Sequence, residues 1–365
     1  WIIGSDIATL AELVNNVLGG SIAVDSLTGG SMPWILGFSA AGGLFVGVLL
    51  HEFGHSLVAM RYGYEIDSIT LWLLGGVASF REMPEDWKKE FTIAIAGPVV
   101  SVLVGAVSYL AFRLVPAEFG ALQFVLGYLA VMNVTLAIFN MLPGFPMDGG
   151  RVLRALLARK RPHARATQLA AEVGKTFAFL LGMVGLFAFS PLFILLAFFI
   201  YIAASGEAQQ STVKAAFQGV TVRDIMTPGE ELHVIEAEAS VSELLGRMFT
   251  ERHTGYPVVD ARGDLVGMVT LDDARTIQEI ERDAYRVGEV MERDLETIAP
   301  DADAITALRT MQEHGVGRLP VIDSHGDLAG IISRTDLMTA FNVIQSRGDN
   351  SSLIQGGSTS DLPRV

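Results

Sequence analysis

A short charged motif inside a strongly apolar stretch constrains this chain most. His51-Glu52-Phe53-Gly54-His55 follows directly on residues 35–50, which carry no charge. Ionisable groups at bilayer depth cost a few kcal/mol or more each, so such a cluster needs a reason. On a helix, positions i and i+4 put both imidazoles on one face, where they suit one Zn²⁺ with the glutamate beside it as general base. The alternative is a chance occurrence, in which neighbouring helices satisfy buried His and Glu side chains.

Composition separates the chain into two halves of different character. Half of the 365 residues are hydrophobic and none is cysteine, so disulfides and thiolate metal sites are excluded. Residues 1–206 hold 13 acidic and 12 basic residues, whereas residues 207–365 hold 27 and 14. The first half is therefore an apolar, nearly neutral transmembrane domain and the second a soluble acidic one. So acidic a domain is a poor nucleic-acid binder, and no nucleic-acid partner is expected.

Apolar segments predict a polytopic helical membrane domain of about six helices, the first apparently truncated because the chain starts in an apolar Trp-Ile-Ile-Gly stretch. The last two visible segments are short and could form a hairpin that spans incompletely. Basic residues cluster in the loops Arg61–Lys89 and Arg151–Lys175, which by the positive-inside rule face the cytoplasm. The expected location is the cell membrane, with the acidic half in the cytoplasm. The expected spans are Trp34–Met60, Phe91–Arg113, Leu122–Leu142, Lys175–Phe189 and Leu192–Ala204.

A catalytic zinc site needs a third protein ligand and an open position for water. Asp148 is the best candidate, because it ends a segment from Asn140 that contains two prolines and is followed by two more glycines. Irregular backbone at membrane depth survives only where protein or a water-filled cavity covers it. The alternative is that Asp148 merely caps the helix that runs through Arg151–Lys160.

These two motifs together resemble the site-2 protease family of intramembrane zinc metalloproteases. The resemblance covers residues 35 to about 160 and includes the Ala96-Gly97-Pro98 helix. It implies His51, His55 and Asp148 as Zn²⁺ ligands, Glu52 as catalytic base, and Asn140 near the cleft, in contact with substrate or its oxyanion. The PDZ domain that many members carry is absent from this sequence. The implied substrate is a membrane-anchored protein, cleaved within its transmembrane segment.

Between the first two visible spans, the stretch Ser68–Phe80 predicts two short strands around Gly75-Gly76. The alternative is an apolar hairpin at the membrane interface. A substrate helix must unwind before cleavage, and these strands could supply replacement backbone hydrogen bonds to the extended segment.

The acidic half contains an internal repeat with a period of 63–65 residues, seen where Tyr256-Pro257-Val258-Val259-Asp260 recurs as Leu319-Pro320-Val321-Ile322-Asp323. It resembles an α/β tandem CBS module at 220–345, with repeats at 220–275 and 285–342 after a linker at 207–219. Residues 346–365 are expected to be disordered. The resemblance implies clefts for an adenine nucleotide (AMP, ADP or ATP), and a homodimer through these domains. The implied cleft residues are Thr270, Asp273, Ser333 and Asp336, although the same pattern also describes a plain helix cap.

The favoured interpretation is an intramembrane zinc endopeptidase in the lipid bilayer, acting in regulated intramembrane proteolysis and modulated by nucleotide binding to cytoplasmic CBS domains. The alternative is a CBS-gated transporter or channel without proteolytic activity, in which His51 and Asp148 line an ion path. Glu52 discriminates between the two, since a protease needs a base and a pore needs only polarity. A third class, a scaffold with a dead site, is disfavoured by the intact His, Glu and Asp set.

Overall fold

The computed structural model describes residues 7–72, 75–80 and 86–356. The chain divides into two compact units, Trp1–Ser211 and Thr212–Val365. In its described part, the first unit is built from helices and one β-hairpin. These elements are α1 (Ile7–Leu18), α2 (Met32–Arg61), β1 (Ile66–Trp72), β2 (Gly75–Phe80), α3 (Trp87–Leu114), α4 (Gly120–Asn140), α5 (Asp148–Ala158), α6 (His163–Phe187) and α7 (Pro191–Ala216).

Within the described residues, α2, α3, α4, α6 and α7 are long and apolar enough to cross a membrane. Large apolar side chains on these helices point outward, as with Phe38 and Leu114, which are 77% and 82% exposed. Surfaces of this kind suit lipid rather than water. The predicted multi-pass helical domain is confirmed. The last two helices are longer than the short segments expected, because polar residues extend α6 at its start and α7 at its end. By length and composition each can cross a membrane on its own.

Helix α3 lies at the centre of the first unit and packs against α2, α4 and α5. Glycines let these backbones approach closely. A Cβ at Gly54 of α2 would overlap the Ala96 carbonyl oxygen, and one at Gly105 of α3 would press against that of Ala130. Close backbone contact of this kind is how membrane helices gain packing energy without a hydrophobic driving force. The motif helix α2 is thereby held in a fixed register against α3.

The expected strands between Ser68 and Phe80 are present, except that Leu73 and Leu74 lie outside the described residues. Strands β1 and β2 are antiparallel, with Ser68 opposite Ser79 and Trp72 opposite Gly75. The hairpin contacts α2, the helix that carries the two motif histidines. It therefore places an antiparallel pair of strands beside the motif helix.

The second unit contains two copies of a small α/β repeat. In the first copy, β4 (Ile235–Glu236) and β5 (Gly255–Val259) are parallel, and β6 (Leu265–Thr270) pairs antiparallel with β5. In the second copy, β7 (Arg318–Ile322) pairs antiparallel with β8 (Leu328–Ser333). An isolated parallel bridge from Ile298 to Val321 repeats the Ile235–Val258 pairing of the first copy. The elements are β3 (Thr227–Pro228), β4 (Ile235–Glu236), α8 (Val241–Glu251), β5 (Gly255–Val259), β6 (Leu265–Thr270), α9 (Leu271–Arg275), α10 (Val287–Val290), α11 (Ala304–Glu313), β7 (Arg318–Ile322), β8 (Leu328–Ser333) and α12 (Arg334–Gly356).

The two repeats complete each other's sheets. Strand β3, at the start of the first repeat, pairs with β8 of the second, where Thr227 lies opposite Ile331. In return, Glu292 near the start of the second repeat bridges to Met268 of β6. Neither repeat therefore closes its sheet alone, which explains why the pair forms one compact unit.

Two segments differ from the expected domain plan. Helix α7 continues through the expected linker as far as Ala216, because residues 207–216 contain no proline or glycine to end it. Helix α12 runs to Gly356, so the first part of the expected disordered tail is helical. The remaining nine residues lie outside the described part of the chain.

Each repeat also contains the same acidic turn. The Asp260 carboxylate accepts backbone N–H bonds from Arg262 and Asp264 at 2.8 and 3.0 Å. Asp323 accepts equivalent bonds from His325 and Asp327 at 2.8 and 3.0 Å. Bonds to the charged form hold the pKa of both carboxyl groups below its usual value.

A carboxyl group with a lowered pKa stabilises the fold above its unfolded pKa of about 3.9 and loses that contribution as the pH falls through the folded value. We expect residues 212–365 produced alone to unfold in one cooperative urea transition, with a free energy of unfolding that decreases from about pH 5 to about pH 3. The decrease should be smaller in Asp260→Ala/Asp323→Ala. An unchanged pH dependence in this double variant, relative to an Asp301→Ala control, would contradict the assignment.

Candidate metal centre and nucleotide clefts

Helix α2 presents His51 and His55 on one buried face, each only 3% exposed. Asp148, the first residue of α5, meets them from the other side. Its Oδ2 lies 3.1 Å from the Nε2 atom of each histidine, and the two Nε2 atoms are 3.2 Å apart. In the described part of the chain, this is the one group of three or more potential metal ligands. The structure thus brings together the three residues that the sequence singled out.

Helix α3 fixes both imidazole rings from behind. The Nδ1 of His55 lies 2.7 Å from the Ile93 carbonyl oxygen, and the Nδ1 of His51 lies 2.9 Å from the Ser101 hydroxyl. A carbonyl oxygen only accepts, so the His55 Nδ1 carries the proton and its Nε2 presents a lone pair. Gly97 leaves room for this ring, since a Cβ there would overlap it. Such outer contacts orient the ring of a metal-binding histidine.

The segment before α5 positions Asp148 by close backbone packing. Gly144 lies against Gly174 of α6, and Gly150 lies against Gly144, so closely that a Cβ at either position would overlap backbone atoms. The residue at the N-cap of α5 is Met147, which makes no side-chain cap bond. Asp148 therefore does not act as the N-cap, and its Oδ2 faces the two histidines.

The donor set fits a divalent metal ion such as Zn²⁺. In a tetrahedral zinc site with bonds of about 2.0–2.1 Å, neighbouring ligand atoms lie about 3.3 Å apart. The three atoms here are separated by 3.1 to 3.2 Å. The Oδ2 of Asp148 and the Nε2 of His55 both present lone pairs, and so close an approach of the two is unfavourable without a cation between them. The convergence of atoms, rather than the motif alone, therefore supports a metal centre.

The other two predicted catalytic residues lie on the same elements. Glu52 follows His51 directly on α2 and is buried, at 9% exposed. Asn140 is the last residue of α4 and is half-buried, at the start of the segment that leads to Asp148. Their catalytic roles stay predictions.

The two polar contacts on α3, from Ile93 and Ser101, were not predicted from the sequence. Ile93, Gly97 and Ser101 are spaced by four residues, as are His51 and His55, so the two helices meet along matching stripes. A small residue and a lone hydroxyl at this spacing in an apolar helix were the available signal.

In the second unit, both S/T-x-x-D stretches form complete helix caps. Thr270 donates its backbone N–H and hydroxyl to the Oδ2 of Asp273 at 2.7 and 2.6 Å. Ser333 does the same to Asp336 at 2.9 and 2.7 Å. Both stretches are therefore helix caps, as the simpler interpretation of the pattern predicted. All these bonds use Oδ2, so they do not occupy the Oδ1 atoms.

The two clefts differ in charge and helix length. Asp336 precedes most of the 23-residue α12, whereas Asp273 lies in the five-residue α9. The second repeat has Arg318 where the first repeat has Gly255. Arg318 donates a hydrogen bond to the Thr254 hydroxyl at 2.9 Å. Burial lowers the pKa of this guanidinium and the nearby Asp336 carboxylate raises it.

Comparisons with known proteins agree with this architecture. The model of peptidase family M50 matches residues 39–118 and 114–181, and the CBS domain model matches 222–279 and 287–343. A zinc metalloprotease of Methanocaldococcus jannaschii is 35% identical over 83% of this chain and 84% of its own length.

Two solved structures are also similar. The site-2 protease of Methanocaldococcus jannaschii is 33% identical over 55% of this chain and 88% of its own, with a TM-score of 0.41. The crystal structure of CBSX2 in complex with AMP is 32% identical over 34% of this chain and 98% of its own, with a TM-score of 0.31. From the family models and this relative, the chain belongs to peptidase family M50, as a zinc metalloprotease of the site-2 protease type with a tandem CBS module.

Proposed function

We propose that this protein is an intramembrane endopeptidase that cleaves transmembrane segments of membrane-anchored proteins. One observation carries the proposal: Nε2 of His51, Nε2 of His55 and Oδ2 of Asp148 converge at about 3 Å among helices long enough to cross a membrane. A hydrolytic centre at this depth acts on peptide bonds that a soluble protease cannot reach.

Glu52 is the general base of this proposal. A Zn²⁺ held by the two histidines and Asp148 would polarise the scissile carbonyl and make a bound water more acidic. Glu52 accepts a proton as the water oxygen bonds to the carbonyl carbon, and passes it to the nitrogen as the C–N bond breaks. The neighbouring position in sequence and burial of Glu52 support this role. In this proposal Asn140 contacts the substrate or its oxyanion.

The β-hairpin supports a route for unwinding the substrate. A peptide bond in a helix has its carbonyl engaged, so the segment must be extended before cleavage, which exposes backbone groups to an apolar medium. Strands β1 and β2 contact α2 and form a two-stranded sheet, in which, among the described residues, each strand pairs only with the other. An extended substrate that adds to this sheet keeps its backbone hydrogen bonds close to the histidines.

Basic residues support a cytoplasmic location for the second unit. Lys88 and Lys89 begin α3, and Arg159, Lys160 and Arg161 follow α5. The guanidinium of Arg159 stacks on Trp87, an aromatic residue typical of a membrane interface. Positive charge at this side of the membrane domain favours the cytoplasmic face, from which α7 leads into the acidic unit.

The CBS module is proposed to bind an adenine nucleotide that regulates proteolysis. Ser333 and Asp336, at the start of a long helix, offer a phosphate-binding hydroxyl and a carboxylate for ribose. Arg318 supplies positive charge near Asp336 in a half of the chain with a net charge of −13 (27 acidic against 14 basic residues). Because α9 has only five residues, the cleft at Thr270 and Asp273 should bind more weakly.

Purified full-length protein should contain about one zinc ion per chain. The variant His55→Ala/Asp148→Ala should lose it, because a single histidine cannot hold the ion. A chain ending at Ala216 and a His314→Ala variant should keep wild-type zinc, since no proposed ligand lies beyond α5. Metal analysis that finds normal zinc in the double variant would exclude these residues as ligands.

Glu52→Gln should keep zinc and fold but lower the cleavage rate of a single-span substrate by at least about 100-fold, since glutamine cannot accept the proton. The matched control is Glu118→Gln, an exposed acid remote in sequence from the motif. The measurement is single-turnover cleavage in detergent or liposomes. Wild-type cleavage by Glu52→Gln would mean that another group is the base.

Calorimetry on residues 212–365 should detect AMP, ADP or ATP binding, weakened by about tenfold or more in Asp336→Asn, which retains a cap acceptor. Asp273→Asn should have a smaller effect, and Asp272→Ala, beside it and exposed, should have none.

Nucleotide should also change the cleavage rate of the full-length protein, by about 5- to 150-fold for a typical coupling. If none of the three nucleotides binds at millimolar concentration, the module has only a structural or dimerisation role.

A further inference from the structure

A buried charged cluster lies in the first unit, apart from the metal ligands. Arg154 of α5 is 3% exposed and donates its Nε–H to the Oε1 of Glu90 on α3. Its Nη1 donates to the Oε1 of Glu207 on α7 at 2.7 Å. The guanidinium also lies 4.9 Å from the centre of the Phe145 ring. Three helices and the segment before Asp148 therefore meet at one side chain.

Stability alone does not account for this cluster. Burying Glu90, which is also 3% exposed, together with Arg154 carries a desolvation cost that the attraction between them only partly offsets. An apolar pair of similar volume commonly stabilises a fold equally well. The charged pair instead defines how the helices are oriented relative to one another. A planar guanidinium that bonds two carboxylates fixes both the angle and the distance between the helices that carry them.

Two of these three helices hold parts of the metal centre: α3 orients the histidine rings and α5 begins with Asp148. Glu90 lies one turn before Ile93, whose carbonyl holds the His55 ring. Arg154 lies six residues after Asp148 on the short helix α5, about 9 Å along its axis. Glu207 belongs to α7, which continues into the second unit and ends at Ala216.

We propose that Arg154 is a positioning residue that sets where Asp148 stands relative to the histidine pair, and that Glu207 makes this setting respond to α7. Arg154 locks α5 to α3 through Glu90, and thus Asp148 to the helix that orients both imidazoles. A displacement of α7 acts on the same guanidinium through Glu207. The inference rests on metal binding at the proposed centre, and deepens it by naming its regulation.

The zinc affinity of the full-length protein in detergent tests the positioning role of Arg154 directly. The affinity is measured by competition with a chromophoric chelator, without any substrate. Arg154→Met should bind zinc about 10- to 100-fold more weakly, the usual cost of losing an outer support of a metal site. Arg154→Lys, which keeps the charge but not the two-carboxylate geometry, should not restore it. The matched control is Arg159→Met, just past the end of the same helix, which should bind like the wild type.

A second variant separates positioning from the cost of an unpaired buried charge. Arg154→Met leaves Glu90 with only His163, whose Nε2 lies 3.5 Å from the Glu90 Oε2, and can unfold the domain. Glu90→Leu/Arg154→Met removes the buried pair and should restore the helix content and thermal stability. Zinc affinity should stay low in this double variant, because α5 is still not locked to α3. Wild-type zinc affinity in the folded double variant would overturn the inference.

Glu207→Gln tests the connection to α7. Glu207 is 31% exposed, so its substitution should leave the fold intact while the zinc affinity falls between those of the wild type and Arg154→Met. Wild-type affinity in Glu207→Gln would overturn the role of α7. A wild-type chain that binds no zinc in the same titration would overturn the proposed function itself, whereas normal binding by the wild type and by Arg154→Met would overturn this inference alone.

Discussion

The hydrogen bond between the His55 imidazole and the Ile93 carbonyl determines the chemistry of the centre. It fixes the proton on Nδ1, so Nε2 faces Asp148 as a lone-pair donor rather than as a hydrogen-bond donor. The bond forms only because Gly97 lets α3 approach the ring. Without it the ring could turn, and the three convergent atoms would no longer define one site for a cation.

Asp148 reaches this site through backbone that is neither helix nor strand. At membrane depth such backbone must be covered by protein, because lipid offers no hydrogen bonds. The structure covers it with close contacts between Gly144 and Gly174 and with the buried ring of Phe145, which packs against Ala170 and Ala204 of α6 and α7. The glycines of this segment thus serve to bring an acidic ligand into an apolar domain.

Local patterns in the sequence predicted most of the fold. Two motifs, His51–His55 and the segment that ends at Asp148, predicted the candidate ligands of the centre. Partners distant in sequence were not predictable. Ser101 lies 50 residues from His51, and nothing in an apolar helix marks which hydroxyl meets an imidazole. Arg154 looked like one of several basic loop residues, yet it is buried between carboxylates that lie 64 and 53 residues away. The polar end of α7 looked like a linker because composition shows charge but not helix continuation.

The second unit has a symmetric fold and asymmetric charge. Each repeat caps its last helix with the same hydroxyl and carboxylate, and the sheets exchange strands, so a rearrangement in one repeat strains the other. Only the second repeat carries an arginine where the first has Gly255. The proposed nucleotide, an anion, would therefore favour the second repeat, and its binding would break the pseudo-symmetry of the pair. Since α7 leads into this unit, the polar contact of Glu207 with Arg154 is where such a change would reach the helix that carries Asp148.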